Sequence, residues 1–193
     1  MADLLMFIIL FCLIMLGLWA FLDFCFSIKS FIRGGCGKSA YYVPSSSKAK
    51  EDMLNEARRI LKSTSRPMKV VDLGSGTGSL LLPLAYEFPT HRFVGYEWDP
   101  ILIKISRYKA KNLQNIIFEQ KNYMLENLSS FDLFLCFVLK SQGESVGLKL
   151  SNEMKSSAIC ISEKFELQHL KEIKRIFSRT WLQPFKIFIY TKK

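Results

Sequence analysis

The stretch VVDLGSGTG at residues 70–78 decides the fold of this 193-residue chain. In it, a short β-branched run leads into three glycines at alternate positions, Gly74, Gly76 and Gly78, and an apolar segment follows. A strand that ends in such a turn brings the backbone close to a ligand, because glycine has no side chain to collide with it. The stretch therefore predicts a nucleotide-type pocket where a buried strand turns into a helix.

Two classes of ligand are compatible with this turn. Dinucleotides favour the spacing G-x-G-x-x-G/A, whose third small residue would here be Ser79. The observed spacing is G-x-G-x-G, and Asp72 stands two residues before the first glycine. Since a carboxylate repels a diphosphate and attracts an ammonium group, the stretch favours a zwitterionic, sulfonium-bearing ligand.

Strands and helices alternate outward from this turn. An amphipathic helix with Met53, Ala57 and Leu61 on one face precedes it, and helices are predicted over 100–112 and around 146–154. This order predicts a doubly wound, mostly parallel α/β sheet with a closing C-terminal antiparallel strand. The tail is expected to form a closing hairpin with 185–191 as its clearest strand. Its basic residues, Lys171, Lys174, Arg175 and Arg179, are interpreted as a solvated helix face, with contact to an anionic membrane or RNA as the alternative. The predicted strands are 69–73, 92–97, 116–119, 132–138, 157–162 and 185–191.

The N-terminus carries the longest apolar run. Residues 4–22 contain no charge, hydroxyl or amide and would span about 28 Å as a helix, enough to cross a bilayer. A cleaved signal peptide is the alternative, but only three residues precede the run and none of them is basic. Lys29, Arg33 and Lys38 follow it, so the rest of the chain is expected on the cytoplasmic side of a single-pass anchor. The predicted divisions are an anchor at 1–28, a linker at 29–47 and a globular domain at 48–193.

The amino-acid composition limits the classes of binding partner and of site that the chain can have. Apolar residues make up 49% of the chain, so a sizeable core is expected, and the net charge of +10 favours an anionic partner such as a phospholipid surface or nucleic acid. The five cysteines form no CxxC pair, and His91 and His169 lie far apart in the sequence. The sequence therefore predicts no metal site and no disulfide framework, and it favours a reducing compartment.

VVDLGSGTG followed by VGYEWDP at residues 94–100 resembles the first two motifs of the class I S-adenosylmethionine-dependent methyltransferases. The resemblance covers about residues 40–193. It implies that Asp72 and the backbone of the loop hold the methionine part of S-adenosylmethionine, and that Glu97 binds the ribose. It also implies that Trp98 lies against the adenine and that Asn122 contacts the adenine edge. The loop residues in question are Gly74, Ser75, Gly76, Thr77 and Gly78.

A narrower resemblance begins before the glycine turn. The apolar N-terminus, then YYVPSS at residues 41–46, then the two motifs look like the small membrane-anchored protein-lysine methyltransferases of the ATP synthase c subunit and the adenine nucleotide translocase, and like their bacterial relatives. This similarity implies a membrane-protein substrate and an active-site role for Tyr42 and Ser45. It implies the mitochondrial inner membrane if the source is eukaryotic. Two departures are Tyr41 in place of a proline and Thr77 where an acid is common.

Several other functions stay open at this level. A methyltransferase-like module could hold S-adenosylmethionine as a sensor, a basic adaptor could bind only membrane, and an NAD-dependent reductase is disfavoured by Asp72. Among methyltransferases, an RNA or lipid acceptor would also suit the positive charge. The segment after the fourth strand, residues 137–140, reads FVLK and lacks the N/D-P-P-Y/F tetrapeptide of amide methylation, which favours lysine over base amines or glutamine.

Overall fold

The chain divides into two units, Met1–Pro44 and Ser45–Lys193. In the first unit, residues 10–21 are helical. No helix among the described residues is both long and apolar enough to cross a membrane. The predicted span of 4–22 lies partly outside the described residues, so the anchor stays a prediction. The computed structural model describes residues 6, 10–21, 47–179 and 184–193.

A seven-stranded sheet runs through the described part of the second unit. Each strand is short and rich in β-branched or aromatic residues, and the strands next to the centre of the sheet are buried on both faces. The strands are β1 (Lys69–Leu73), β2 (Arg92–Glu97), β3 (Ile116–Gln120), β4 (Leu133–Phe137), β5 (Ile159–Glu163), β6 (Lys171–Arg179) and β7 (Pro184–Thr191).

The strand order is β3-β2-β1-β4-β5-β7-β6. Strands β1 to β5 pair in parallel, and β7 is antiparallel to both of its neighbours. The chain adds strands in one direction from β1 to β3 and in the other from β4 onward, so the order reverses beside β1. In open α/β sheets the ligand crevice lies at the carboxyl ends of the strands at that reversal. The predicted doubly wound, mostly parallel sheet is confirmed.

Helices cover both faces of the sheet. Helices α1, α2 and α3 contribute Met53, Leu84 and Ile103 to one core cluster, whereas α4 contributes Val146 and Leu150 to the cluster on the opposite face. The helices are α1 (Ser47–Lys62), α2 (Leu81–Glu87), α3 (Pro100–Ala110) and α4 (Gly143–Glu153), with short 3-10 helices at Tyr123–Leu125 and Lys140–Gln142.

The basic tail is a strand, and its interpretation as a helix face is wrong. Residues 171–179 form β6, which pairs along its length with β7 and has one irregularity, between Glu172 and Lys174. Lys174 is not purely solvated, because its Nζ lies 2.8 Å from the buried carboxylate of Glu56 in α1. The consecutive buried apolar residues of β7, Ile187 to Tyr190, provide the strand with which this segment pairs, and the charge pattern of the segment does not reveal that pairing.

The connection from β5 to β6, residues 164–170, runs directly across α4. A Cβ added at Gly143 would lie 2.5 Å from the carbonyl oxygen of Glu166, and one at Gly147 would lie 2.9 Å from the backbone nitrogen of Gln168. These glycines therefore permit backbone-to-backbone packing on the helix. We call residues 164–170 the strap.

Candidate cofactor site

The carboxyl ends of β1 and β2 place the predicted site residues together. Asp72 of β1 is in register with Gly95 of β2 and Leu135 of β4. Neighbours in register share a face of the sheet, and so do residues two apart on one strand. Asp72, Gly95 and Glu97 therefore point to the same face, beneath the loop that follows β1.

The glycine loop is fastened to the end of β2 by its backbone. The amides of Gly74 and Ser75 both donate to the carbonyl oxygen of Tyr96, at 2.9 and 2.8 Å. Gly74 has a φ of 99°, in the left-handed region that a residue with a side chain rarely adopts. The loop is thus held in its shape by the protein itself.

Gly78 and Gly95 exclude a side chain for a different reason than Gly74 does. A Cβ at Gly78 would lie 2.6 Å from the ring of Phe118, and one at Gly95 would lie 2.7 Å from the Ser75 hydroxyl. Both positions are therefore closed by packing inside the protein. A Cβ at Gly74 would meet no described atom within 4 Å, so this part of the loop borders open space.

Glu97 connects the loop to the start of α3. Its Oε2 accepts from the amide of Gly76 at 2.9 Å, and its Oε1 accepts from the amides of Trp98 and Asp99 at 2.7 and 2.8 Å. A carboxylate oxygen can accept about two hydrogen bonds. Oε1 is saturated by these contacts, whereas Oε2 keeps one acceptor position for a ligand.

Asp72 is the most perturbed acid of the site. Its side chain is buried, and burial together with the nearby charge of Glu97 raises the pKa of Asp72 to about 8. A carboxylate in such surroundings is stabilised by a cation. The pair of Asp72 and Glu97 therefore favours a positively charged ligand over a phosphate.

The Ser75 hydroxyl is a second sign of a ligand site. It is buried at the base of the loop and has no hydrogen-bond partner within the part of the chain that the structure describes. Buried hydroxyls are rarely left without a partner. The open space at Gly74, this hydroxyl and the two carboxylates together fit a ligand that carries both a cation and hydrogen-bonding groups.

The other predicted residues are not all in contact with this group. Thr77 is half-buried in the loop, and Trp98 is 58% exposed beside Glu97. Asn122 follows β3, as expected, but it is exposed and its Oδ1 accepts from the amide of Met124 at 3.0 Å. The predicted active-site residues Tyr42 and Ser45 lie outside the described residues.

Two residues near the carboxyl ends of the strands escaped the sequence interpretation. Tyr123 is half-buried, and burial, with smaller contributions from Cys136 and Glu97, raises its pKa to about 12. Glu163 ends β5 on the same face as Asp72, and its side chain is 1% exposed. The available signal for Glu163 was its position directly after the predicted strand 157–162, whereas Tyr123 lies three residues beyond β3 and had no such signal.

Comparison with protein families identifies the chain. The model of the ANTKMT methyltransferase domain matches residues 72–174, more than half of the chain. A search of curated proteins found no match.

Solved structures share the fold, and two of the three described here are named as methyltransferases. An RNA methyltransferase from Salinibacter ruber in complex with S-adenosyl-L-homocysteine is 21% identical, with a TM-score of 0.62, and the match covers 77% of this chain and 93% of that one. A precorrin-6y C5,15-methyltransferase from Geobacter metallireducens is 14% identical with a TM-score of 0.58, covering 80% and 93%. A mutant of MtNAS in complex with S-adenosylmethionine is 10% identical with a TM-score of 0.60, covering 75% of this chain and 62% of that one.

The family match and the shared fold agree with the chemistry of the site. The carboxylate pair and the glycine loop suit a sulfonium cofactor with an amino acid end, and S-adenosylmethionine is therefore the cofactor. The chain belongs to the family of the ANTKMT methyltransferase domain, within the class I S-adenosylmethionine-dependent methyltransferases.

Proposed function

We propose that the chain transfers a methyl group from S-adenosylmethionine to a lysine side chain of a membrane-associated protein. The observation that carries methyl transfer is the carboxylate pair of Asp72 and Glu97 beneath a glycine loop, joined by the family match over residues 72–174. The lysine acceptor is supported by the ANTKMT family and by the sequence after β4.

The cofactor would be held by residues of β1, β2 and the loop between them. Asp72 would bind the ammonium group, and the free acceptor position of Glu97 Oε2 would receive a ribose hydroxyl. Trp98, exposed at the start of α3, would lie against the adenine. When bound, S-adenosylmethionine supplies an electrophilic methyl group on a sulfonium.

The acceptor would approach from the β4 and β5 side, since Glu97 and the ribose occupy the other side. The carboxyl end of β4 there carries the half-buried Phe137 and the buried Val138, and β5 ends at Glu163, whose carboxylate is buried behind this surface. A lysine amine must be neutral to attack, and apolar surroundings disfavour its charged form. The negative charge of Glu163 would attract the incoming ammonium, and the apolar wall would favour release of the ammonium's proton to water. The neutral amine would then take the methyl group, with S-adenosylhomocysteine as the leaving group. The main contribution of these residues would be positioning.

The N-terminal segment would set the location. Residues 4–22 would anchor the chain as a single-pass membrane protein with the methyltransferase domain on the cytoplasmic side, or in the mitochondrial inner membrane of a eukaryote. The exposed apolar side chains of the helical residues 10–21 support this placement. Tyr42 and Ser45, between anchor and domain, would orient the acceptor amine.

Two measurements test the proposal. Calorimetry with S-adenosylmethionine and S-adenosylhomocysteine should show binding of both, and mass spectrometry of membrane proteins from cells with and without the chain should show a 14 Da step on lysine. Cofactor binding without any methylated product would indicate a sensor. Label from the cofactor in RNA or lipid, with none in protein, would overturn the lysine acceptor but not the methyltransferase.

A further inference from the structure

The outward face of α3 is apolar where a solvated helix is usually polar. Ile101 is 41% exposed, Ile105 38% and Tyr108 71%. Their spacing of four and three residues puts them in one row along the helix. Single exposed apolar residues are ordinary, but an aligned row on one helix is a feature of a contact surface. The opposite face of α3 is buried through Leu102, Ile103, Ser106 and Ala110.

Lysines border this row on both sides. With about 100° of rotation per residue, Lys104 and Lys111 fall on one side of the row and Lys109 on the other. None of these three lysines forms an ion pair with another described residue. The segment from residue 100 to residue 118 contains no acid. The positive charge of this face is therefore not neutralised locally.

The neighbouring acid is engaged elsewhere. Asp99 caps α3, and its carboxylate accepts from the amides of Ile101 and Leu102 at 2.7 and 3.2 Å. Its charge thus faces the helix terminus, where it is favourable. Lys111 places its Nζ 4.8 Å from the centre of the Tyr108 ring, so the basic border follows the apolar row closely.

We infer that this face, the α3 stripe of Ile101, Ile105 and Tyr108 with their flanking lysines, docks on an anionic phospholipid surface. An apolar row would enter the interface between headgroups and acyl chains, while lysines on both sides extend toward the phosphates. Such lysines are attracted by anionic lipids and only weakly by zwitterionic ones.

The composition of the stripe favours lipid over RNA. Two of its three central residues are isoleucines, which cannot stack on bases as aromatic rings do. The stripe is independent of the methyl acceptor, so the inference stands or falls separately from the proposed function.

The test uses the full chain with a fluorescent label beside the stripe. Asn112 is exposed four residues after Tyr108, in the turn that follows α3, and Asn112→Cys would carry an environment-sensitive fluorophore. Cys12, Cys25 and Cys36 are changed to serine, and the buried Cys136 and Cys160 are kept. The chain is reconstituted in vesicles of phosphatidylcholine, alone or mixed with phosphatidylserine. Because the full chain is used throughout, any anchoring by the N-terminal segment is the same in both kinds of vesicle.

Matched variants distinguish binding through the α3 stripe from binding through any exposed apolar side chain. The stripe variant combines Ile101→Ser, Ile105→Ser and Tyr108→Ser. The control combines Tyr86→Ser, Ile117→Ser and Leu125→Ser, which remove three apolar side chains exposed by 80%, 58% and 82% elsewhere. A third variant, the lysine variant, combines Lys104→Gln, Lys109→Gln and Lys111→Gln. Thermal unfolding establishes that each variant is folded.

For the parent chain, we expect fluorophore emission to rise several-fold more with vesicles that contain phosphatidylserine than with phosphatidylcholine alone. The stripe and lysine variants should lose this phosphatidylserine-dependent rise, and the control variant should keep it. The inference is overturned if the emission is independent of phosphatidylserine, or if either the stripe or the lysine variant responds like the parent chain. It is also overturned if polyuridylate changes the emission while vesicles do not.

Discussion

The carboxyl group of Asp72 lies in surroundings that disfavour its charged form. Because burial and Glu97 raise the pKa of Asp72 to about 8, the carboxyl group is protonated in the cofactor-free protein at neutral pH. A cationic cofactor binds the carboxylate and not the acid. Binding of S-adenosylmethionine should therefore release a proton, and the affinity should rise with pH up to about 8. Calorimetry in buffers of different ionisation enthalpy counts the proton.

Asp72→Asn is the control for this linkage, since it keeps the shape of the side chain and removes the titration. The variant should bind the cofactor more weakly and with no proton release from this position. An unchanged proton count would place the titrating group elsewhere.

The protonation of Asp72 also makes the free energy of unfolding depend on pH. The folded protein keeps a proton on Asp72 that the unfolded chain releases above its ordinary pKa of 3.8, so the stability contributed by this group falls between that value and about 8. Relative to the parent chain, Asp72→Asn should gain up to ~1.4 kcal/mol of unfolding free energy per pH unit across this range and then level off. Urea unfolding at a series of pH values measures the difference.

Asp132→Asn should show the opposite trend. Burial of Asp132 opposes ionisation, but the hydrogen bond from the Lys69 amide and the contacts with Lys155 and Arg66 outweigh it and hold the pKa of Asp132 below its ordinary value. This variant should be destabilised at neutral pH, and the loss should shrink as the pH falls through the lowered pKa. Parallel pH curves for the two variants would contradict both assignments.

Ser75 gives a test that separates binding from folding. Its buried hydroxyl has no hydrogen-bond partner among the described residues, so Ser75→Ala should leave the unfolding temperature unchanged or slightly raised. If the hydroxyl bonds to the cofactor, the affinity for S-adenosylmethionine should fall by about 3- to 10-fold, the value of one net hydrogen bond. Equal affinities would show that the hydroxyl does not contact the cofactor.

At the scale of elements, the backbone of the strap packs directly on the glycines of α4, and this packing can be tested by substitution. A Gly→Ala change inside an exposed helix usually stabilises by up to about 1 kcal/mol. At Gly147 the new Cβ would lie 2.9 Å from backbone atoms of Gln168, so we expect destabilisation by about 1–3 kcal/mol instead. Leu148→Ala, at a position 48% exposed on the same helix, is the control and should change stability little. A stabilised Gly147→Ala would contradict the packing of the strap.

Element prediction from sequence succeeded where the pattern is local. The strands at 69–73 and 92–97 have the predicted bounds, because a short run of β-branched or aromatic residues stops before Gly74 in the first and before the helix-capping Asp99 in the second. Helix α3 ends two residues earlier than predicted, at Ala110. Strand β6 was missed because its many charged residues resemble a solvated helix face. Its partner β7 is the next element of the chain, and only the contact of Lys174 with Glu56 is distant in sequence.

At the scale of the whole molecule, the cofactor site and the proposed anchor belong to separate units. The site residues lie within Ser45–Lys193, so removal of residues 1–28 should leave the affinity for S-adenosylmethionine unchanged. Methylation of the native acceptor in whole membranes should fall at least about tenfold, because tethering raises the effective concentration of the acceptor. Activity assays on membranes with both forms of the chain measure this.

Replacement of residues 1–28 by an unrelated membrane helix is the matched control. Restored activity would show that the segment acts as a tether, whereas a persistent loss would show that its own residues contribute. Equal activity of the truncated and full chains would remove the proposed role of the anchor.

The sequence by itself determined the strand, glycine turn and helix that define the fold, and it placed Asp72 and Glu97 at strand ends. Those features follow from hydrophobic period and glycine spacing, which act over a few residues. Only the tertiary structure decided that the two carboxylates share one face, that the Ser75 hydroxyl is buried, and that the α3 stripe stays exposed. These properties depend on which distant segments pack against each residue, and burial is a property of the folded chain.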